Sequence, residues 1–211
     1  YESAMRLLEG RGGVQKDPKA AAQWLERAAA RGLAPAQYRL GAIYEKGVGV
    51  ARDLAQAKLW YQRAADAGNA RAMHNLAVLT AEGAGEKPDY AGAAQWFVKA
   101  AELGVRDSQY NLAILYARGL GVEQNLALSY TWFATAARQG DEDAGKKRDE
   151  VAAKLDAPLL AQAKQASELF RAKPLDRAAN EPPVPAGGWD KADGVSSGAG
   201  ALRSIGRPRA G

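Results

Sequence analysis

The 211 residues are 47% hydrophobic and carry 29 basic against 24 acidic side chains, a net charge of +5. With no cysteine and one histidine, the chain cannot form a disulfide framework, a thiolate metal site or a Cys–His pair. The charge is too even along most of its length for a nucleic-acid surface. From Arg171 onward seven basic minus four acidic residues leave +3, and only Arg203, Arg207 and Arg209 cluster, which reads as a solvated tail.

The chain opens Tyr1-Glu2-Ser3 with no initiator methionine, signal peptide or apolar run of membrane-spanning length, as expected of a piece of a longer protein. From there a period of 36 residues takes over. It places Trp24, Trp60, Trp96 and Trp132 in one column and Gly32, Gly68, Gly104 and Gly140 in another. The pairs Ala28/Ala29, Ala64/Ala65, Ala100/Ala101 and Ala136/Ala137 keep the same register, as do Asp17, Asp53, Asp89 and Asn125, and Leu40, Leu76 and Leu112. A period of this length marks a solenoid, in which each unit buries its apolar face only by stacking on its neighbours. Four repeats are expected, at about 1–36, 37–72, 73–108 and 109–144.

The first repeat is degenerate, with Ala4 in the Leu40 column, Leu8 in the Tyr44 column and Arg11 in the Gly47 column. The second is the fullest. Pro35 stands where a helix begins, its missing N–H costing nothing there, and Leu40, Ile43 and Tyr44 follow at helical spacing as helix A. Gly47-Val48-Gly49-Val50 breaks that helix, and Asp53 offers an oxygen to the free N–H groups of helix B, which runs through Ala57, Trp60, Tyr61, Ala64 and Ala65 to Gly68. A buried tryptophan removes about 150–250 Å² from water. At roughly 25 cal/mol/Å² that is about 4–6 kcal/mol before entropy, so Trp60 is expected to be central to the array.

After Ala144 the period fails. Val151, Leu155, Leu159, Leu160, Ala163, Ala166 and Leu169/Phe170 fit two capping helices over 145–170, divided near Asp156-Ala157-Pro158. Residues 171–189 hold four of the nine prolines and end in Trp189, an extended segment that could dock on the solenoid. Residues 190–211, rich in Gly, Ser, Ala and Arg, read as a flexible linker.

The repeat pattern A-x-x-L-G-x-x-Y-x-x-G-x-G-V-x-x-D-x-x-x-A-x-x-W-Y-x-x-A-A-x-x-G resembles the Sel1-like repeat family over roughly residues 1–144. The resemblance implies an all-α fold, a right-handed α-α superhelical solenoid of Sel1-like, tetratricopeptide-like helix pairs, here with C-terminal capping helices and an extended tail. The chain departs from those members of the family that are cysteine-rich and disulfide-bridged. The stretch from Leu159 through Lys173-Pro174, closing with Ala178-Ala179-Asn180 and Pro185 to Asp190, resembles the post-repeat segment of bacterial polar-localisation factors of the PodJ type. That second resemblance implies a periplasmic domain of a single-pass inner-membrane protein at the cell pole, tied to the membrane only by a segment outside this chain.

No catalytic constellation, cofactor site or metal site is expected. His74 stands in the column of Tyr38 and Tyr110 and reads as an aromatic on a helix face. The Gly-x-Gly elements follow helices and lack the Lys-Ser/Thr of a phosphate loop, so they read as turns. Asp141/Asp143 sit where a helix starts, which carboxylates favour. What remains is a surface: A helices lining a concave groove that suits a protein or peptide ligand. By analogy with tetratricopeptide arrays, Arg39, Asn75 and Asn111 form a groove column, the asparagines either contacting a ligand backbone or bonding within their own helix pair. Tyr38, His74 and Tyr110 flank it as anchors or as packing between A helices, with Glu45, Ile114 and Arg118 further along. A non-catalytic protein-interaction scaffold is the leading reading. Peptidoglycan or wall-peptide binding is the alternative, and a hydrolase of cell-wall or β-lactam substrates, which needs a paired nucleophile and base, is the third.

Overall fold

The computed structural model describes residues 1–183, so Trp189 and the 190–211 linker lie outside the described residues. All regular structure among them is helical. The repeats supply α1 (Glu2–Glu9), α2 (Pro18–Ala30), α3 (Ala34–Lys46), α4 (Leu54–Asp66), α5 (Ala70–Glu82), α6 (Tyr90–Glu102), α7 (Arg106–Arg118) and α8 (Leu126–Arg138). Beyond them come α9 (Glu142–Ala152), α10 (Ala157–Leu169) and α11 (Arg177–Asn180). Two compact units form, one from residues 1–72 with the 175–183 part of the tail, the other from 73–174. Within each, consecutive helices pack on one another, as expected of a Sel1-like, tetratricopeptide-like solenoid.

Each B helix begins on the capping column. Side-chain oxygens of Asp17, Asp53, Asp89 and Asn125 accept from the backbone N–H of Ala20, Gln56, Gly92 and Leu128 at 2.9–3.1 Å. Helices α3 and α7 lack such caps and are tied back another way: Gln37 donates to the Ala29 carbonyl and Gln109 to the Ala101 carbonyl, both at 3.1 Å, so each A helix is fastened to the end of the preceding B helix. Both helices end on left-handed glycines, Gly47 at φ 71° and Gly119 at φ 65°. The second glycine of each turn has a different task. A Cβ on Gly49 or Gly121 would run into the backbone of Pro18 or Tyr90, so these glycines let the turn lie against the first residue of the preceding repeat's B helix.

The tryptophans are not the core. Trp24 is 46% exposed and Trp60, Trp96 and Trp132 are half-buried, whereas their neighbours Leu25, Tyr61, Phe97 and Phe133 are all buried. Successive residues of a helix point about 100° apart, so only one member of each pair can face inward. The tryptophans lie on the flank, under Arg27, Arg63 and Lys99, whose charged groups sit 5.2, 4.6 and 4.6 Å from the ring centroids. In the fourth repeat Thr135 replaces the cation, and Phe170 from the end of α10 covers Trp132 instead, at 5.4 Å.

The capping helices divide where the sequence places the break: Asp156 caps α10 by accepting from Leu159 N–H at 2.9 Å, and both α9 and α10 pack on α8. Helix α9 begins at Glu142, three residues before the expected segment start at 145. The segment after Phe170 is not extended throughout. Asp176 starts the short α11, and in the first unit Asn69 donates to the Ala179 carbonyl at 2.7 Å while Asn180 accepts from Ala70 N–H and donates to the Gly68 carbonyl. In the second unit Lys173 donates its N–H to the Glu102 carbonyl and its ammonium to the Glu102 carboxylate.

Two stability outcomes follow. Leu25 and Trp24 are adjacent, yet Leu25→Ala should cost about 2–5 kcal/mol and Trp24→Ala only about 1–2 kcal/mol; urea unfolding that ranks the tryptophan first would refute this assignment of the core. Gly41→Ala should destabilise despite better helix propensity, because the new Cβ meets the Tyr61 ring at 2.6 Å. The equivalent positions already hold Ala77 and Ala113 opposite phenylalanines, so a raised thermal midpoint for Gly41→Ala would show that Tyr61 yields freely.

Candidate interaction surface

In the first unit, Tyr38 is buried with its ring 6.0 Å from that of Tyr61, and the half-buried Arg39 lies 5.7 Å over the Tyr38 ring. Burial pushes the Tyr38 hydroxyl above its usual pKa, so it stays protonated through the physiological range. Glu45 is buried near the end of α3, where its carbonyl accepts from Arg52 at 3.0 Å.

In the second unit, His74 is 0% exposed, its Nδ1 2.7 Å from the Ser108 hydroxyl and its ring 5.7 Å from Phe97. This His–Ser pair lies wholly inside the packing. Asn75 and Asn111 are buried too, and the Asn75 Oδ1 has no hydrogen-bond partner among the described residues. Tyr110 packs edge-on to Phe133 at 5.5 Å and donates its hydroxyl to Asp143 at 2.6 Å. The column Tyr38, His74 and Tyr110 is therefore packing, and its partners are the aromatics of helix B in the same repeat. Arg39 and Arg118 are the expected groove residues with substantial exposed surface.

Three of the expected residues do meet. Tyr110 and Ile114 form an apolar floor with Phe133 and Val151 beneath a cavity of about 250 Å³, and Arg118 stands on its rim. The rest of the rim, Lys147, Glu150 and Lys154, comes from α9 and the turn after it, which the sequence reading treats only as a polar cap. A signal for them exists in the period. Lys147 lies 36 residues after Asn111 in the Arg39/Asn75/Asn111 column, Lys154 lies 36 after Arg118, and Val151 lies 36 after Leu115. Helix α9 is thus a fifth A helix whose core residues have been replaced by charges. The cavity is the groove between it and α7, floored by Phe133 of α8.

Among the described residues no group of His, Asp or Glu is arranged to hold a metal ion, and no helix is long and apolar enough to cross a membrane. The Sel1 repeat model matches residues 1–33, 34–69, 70–105 and 106–141, and its last three boundaries coincide with the starts of α3, α5 and α7. A search of the curated proteins gives no match. Among solved structures, a Sel1 repeat protein from Oxalobacter formigenes is similar at 30% identity and a TM-score of 0.69, over 81% of this chain and 72% of that one. The protein c5321, a protective antigen present in uropathogenic Escherichia coli strains and displaying an SLR fold, is similar at 28% identity and a TM-score of 0.50, over 85% of this chain and 46% of that one. With four matched repeats over most of its length, the chain belongs to the Sel1 repeat family.

Proposed function

We propose that this chain is a non-catalytic scaffold that recruits partner proteins through the A-helix side of its repeats, as the periplasmic domain of a bacterial polar-localisation factor. Sel1 repeat proteins generally act as protein–protein interaction scaffolds. The observation that carries the reading here is the cavity between α7 and α9, with an apolar floor and a charged rim at the place where the repeat pattern expects a groove. The polar and periplasmic part rests on the post-repeat resemblance. The segment that carries that resemblance is folded: in the second unit α10 packs on α8 and Phe170 covers Trp132, and in the first α11 bonds to Gly68, Asn69 and Ala70.

Because Asn75 and Asn111 are buried, substitutions there would disturb packing before they touched a ligand. The surface arginines are the better probes. Cross-linked capture of envelope proteins should fall several-fold for Arg39→Glu/Arg118→Glu relative to the wild type, with unchanged circular dichroism; undiminished capture would remove the A-helix side from consideration. The domain should stay in the supernatant when purified peptidoglycan sacculi are pelleted. Sedimentation with the sacculi would replace the protein-partner reading with wall binding, and a fluorescent fusion of the parent protein spread evenly around the envelope would end the polar one.

A further inference from the structure

The cavity between α7 and α9 is small and lopsided in charge, and both properties constrain what fits it. At about 250 Å³ it falls below the roughly 300–1,000 Å³ of sites that enclose small molecules or cofactors, and it suits a single large side chain. Its floor of Tyr110, Ile114, Phe133 and Val151 is apolar and buried, with the Tyr110 hydroxyl held by Asp143 of α9. An aliphatic or aromatic group is what such a floor accepts.

The rim sets three cations, Arg118, Lys147 and Lys154, against one carboxylate, Glu150. Arg118 and Lys154 have no ion-pair partner among the described residues, and Lys147 meets Glu150 only at 4.0 Å between two exposed side chains, a contact worth little in water. Arg118 comes from the end of α7, Lys147 from α9 and Lys154 from the turn after it. One terminal carboxylate cannot balance that excess of positive charge. Several carboxylates distributed along a chain can.

We propose that the cavity docks an internal acidic segment of a partner protein, with one large apolar side chain inserted onto the Tyr110/Phe133 floor and Asp or Glu residues on both sides of it lying against Arg118, Lys147 and Lys154. This rests on the scaffold reading and supplies the chemistry of the partner. A short fluorescein-labelled peptide with one Phe between pairs of Glu tests it by fluorescence anisotropy with the full chain. Saturable binding is expected, weakened by salt and reduced about tenfold or more when Lys147→Glu and Lys154→Glu are combined, since like charges at a rim both slow encounter and repel. Those lysines are surface residues, so circular dichroism should be unchanged. Replacing the peptide's Glu by Gln, or its Phe by Ala, should weaken binding similarly, and Arg39→Glu should not. The proposal is overturned if the peptide fails to bind, if the Gln or Ala peptide binds as well, if the double lysine variant is unaffected, or if an oligodeoxythymidine displaces the peptide as effectively as unlabelled peptide. Should the peptide fail while envelope proteins are still captured through the arginines, only the docking chemistry falls; failure of both removes the scaffold reading as well.

Discussion

In each of the three full repeats one ring from helix A is buried against one ring from helix B. Tyr38 meets Tyr61 at 6.0 Å, His74 meets Phe97 at 5.7 Å and Tyr110 meets Phe133 at 5.5 Å. Everything else in the repeat is arranged around that contact. The small residues Ala64, Ala100 and Ala136 beside it on helix B have no exposed surface, which allows close approach. Gly41 clears the space that the Tyr61 ring occupies. The tryptophan next to each inner ring is turned to the flank by helical geometry and covered by a cation or, in the last repeat, by Phe170.

That contact also decides what is left for binding. A ring that closes the core of its own repeat has little surface left for a ligand, so the aromatic column of the A helices serves packing first, and only Tyr110 of the three also lines a cavity. His74 shows the rule at its strictest: with Ser108 at its Nδ1 and Phe97 against its ring, it replaces a tyrosine without opening the position to solvent. Charged binding surface comes from neighbouring A-helix positions that keep exposed surface, as at Arg39 and Arg118.

Much of the architecture is legible in the period because the residues that set it are chemically obligatory. A cap must offer a short side-chain oxygen, as Asp17, Asp53, Asp89 and Asn125 do, and a reversal at positive φ takes glycine, as at Gly47 and Gly119. Inward packing is less demanding: Leu25, Tyr61, Phe97 and Phe133 fill the same site with three different residue types, so the core column varies while the flanking tryptophan is constant. The constant tryptophan therefore marks the flank, and its variable neighbour marks the core. Helix α11 was hidden for another reason. A four-residue helix has almost no pattern of its own, and it is held by Asn69 and Asn180 bonding across more than 100 residues of sequence, which no local signal records.

The same logic explains why a cavity lies beside α9. Helix α7 buries eight of its residues, whereas α9 buries only Ala144 and Val151. Where α3, α5 and α7 carry an aromatic ring and a leucine, α9 carries Lys146 and Arg148. A terminal unit of a solenoid must turn charge outward, since nothing stacks upon it. The groove between α9 and α7 keeps a Tyr110/Phe133 floor, with Lys147 and Lys154 at its edge. The charged helix that ends the array thus also supplies the rim of this groove, and α10 folds onto α8 with Phe170 over Trp132 to cover the flank that this termination would leave bare.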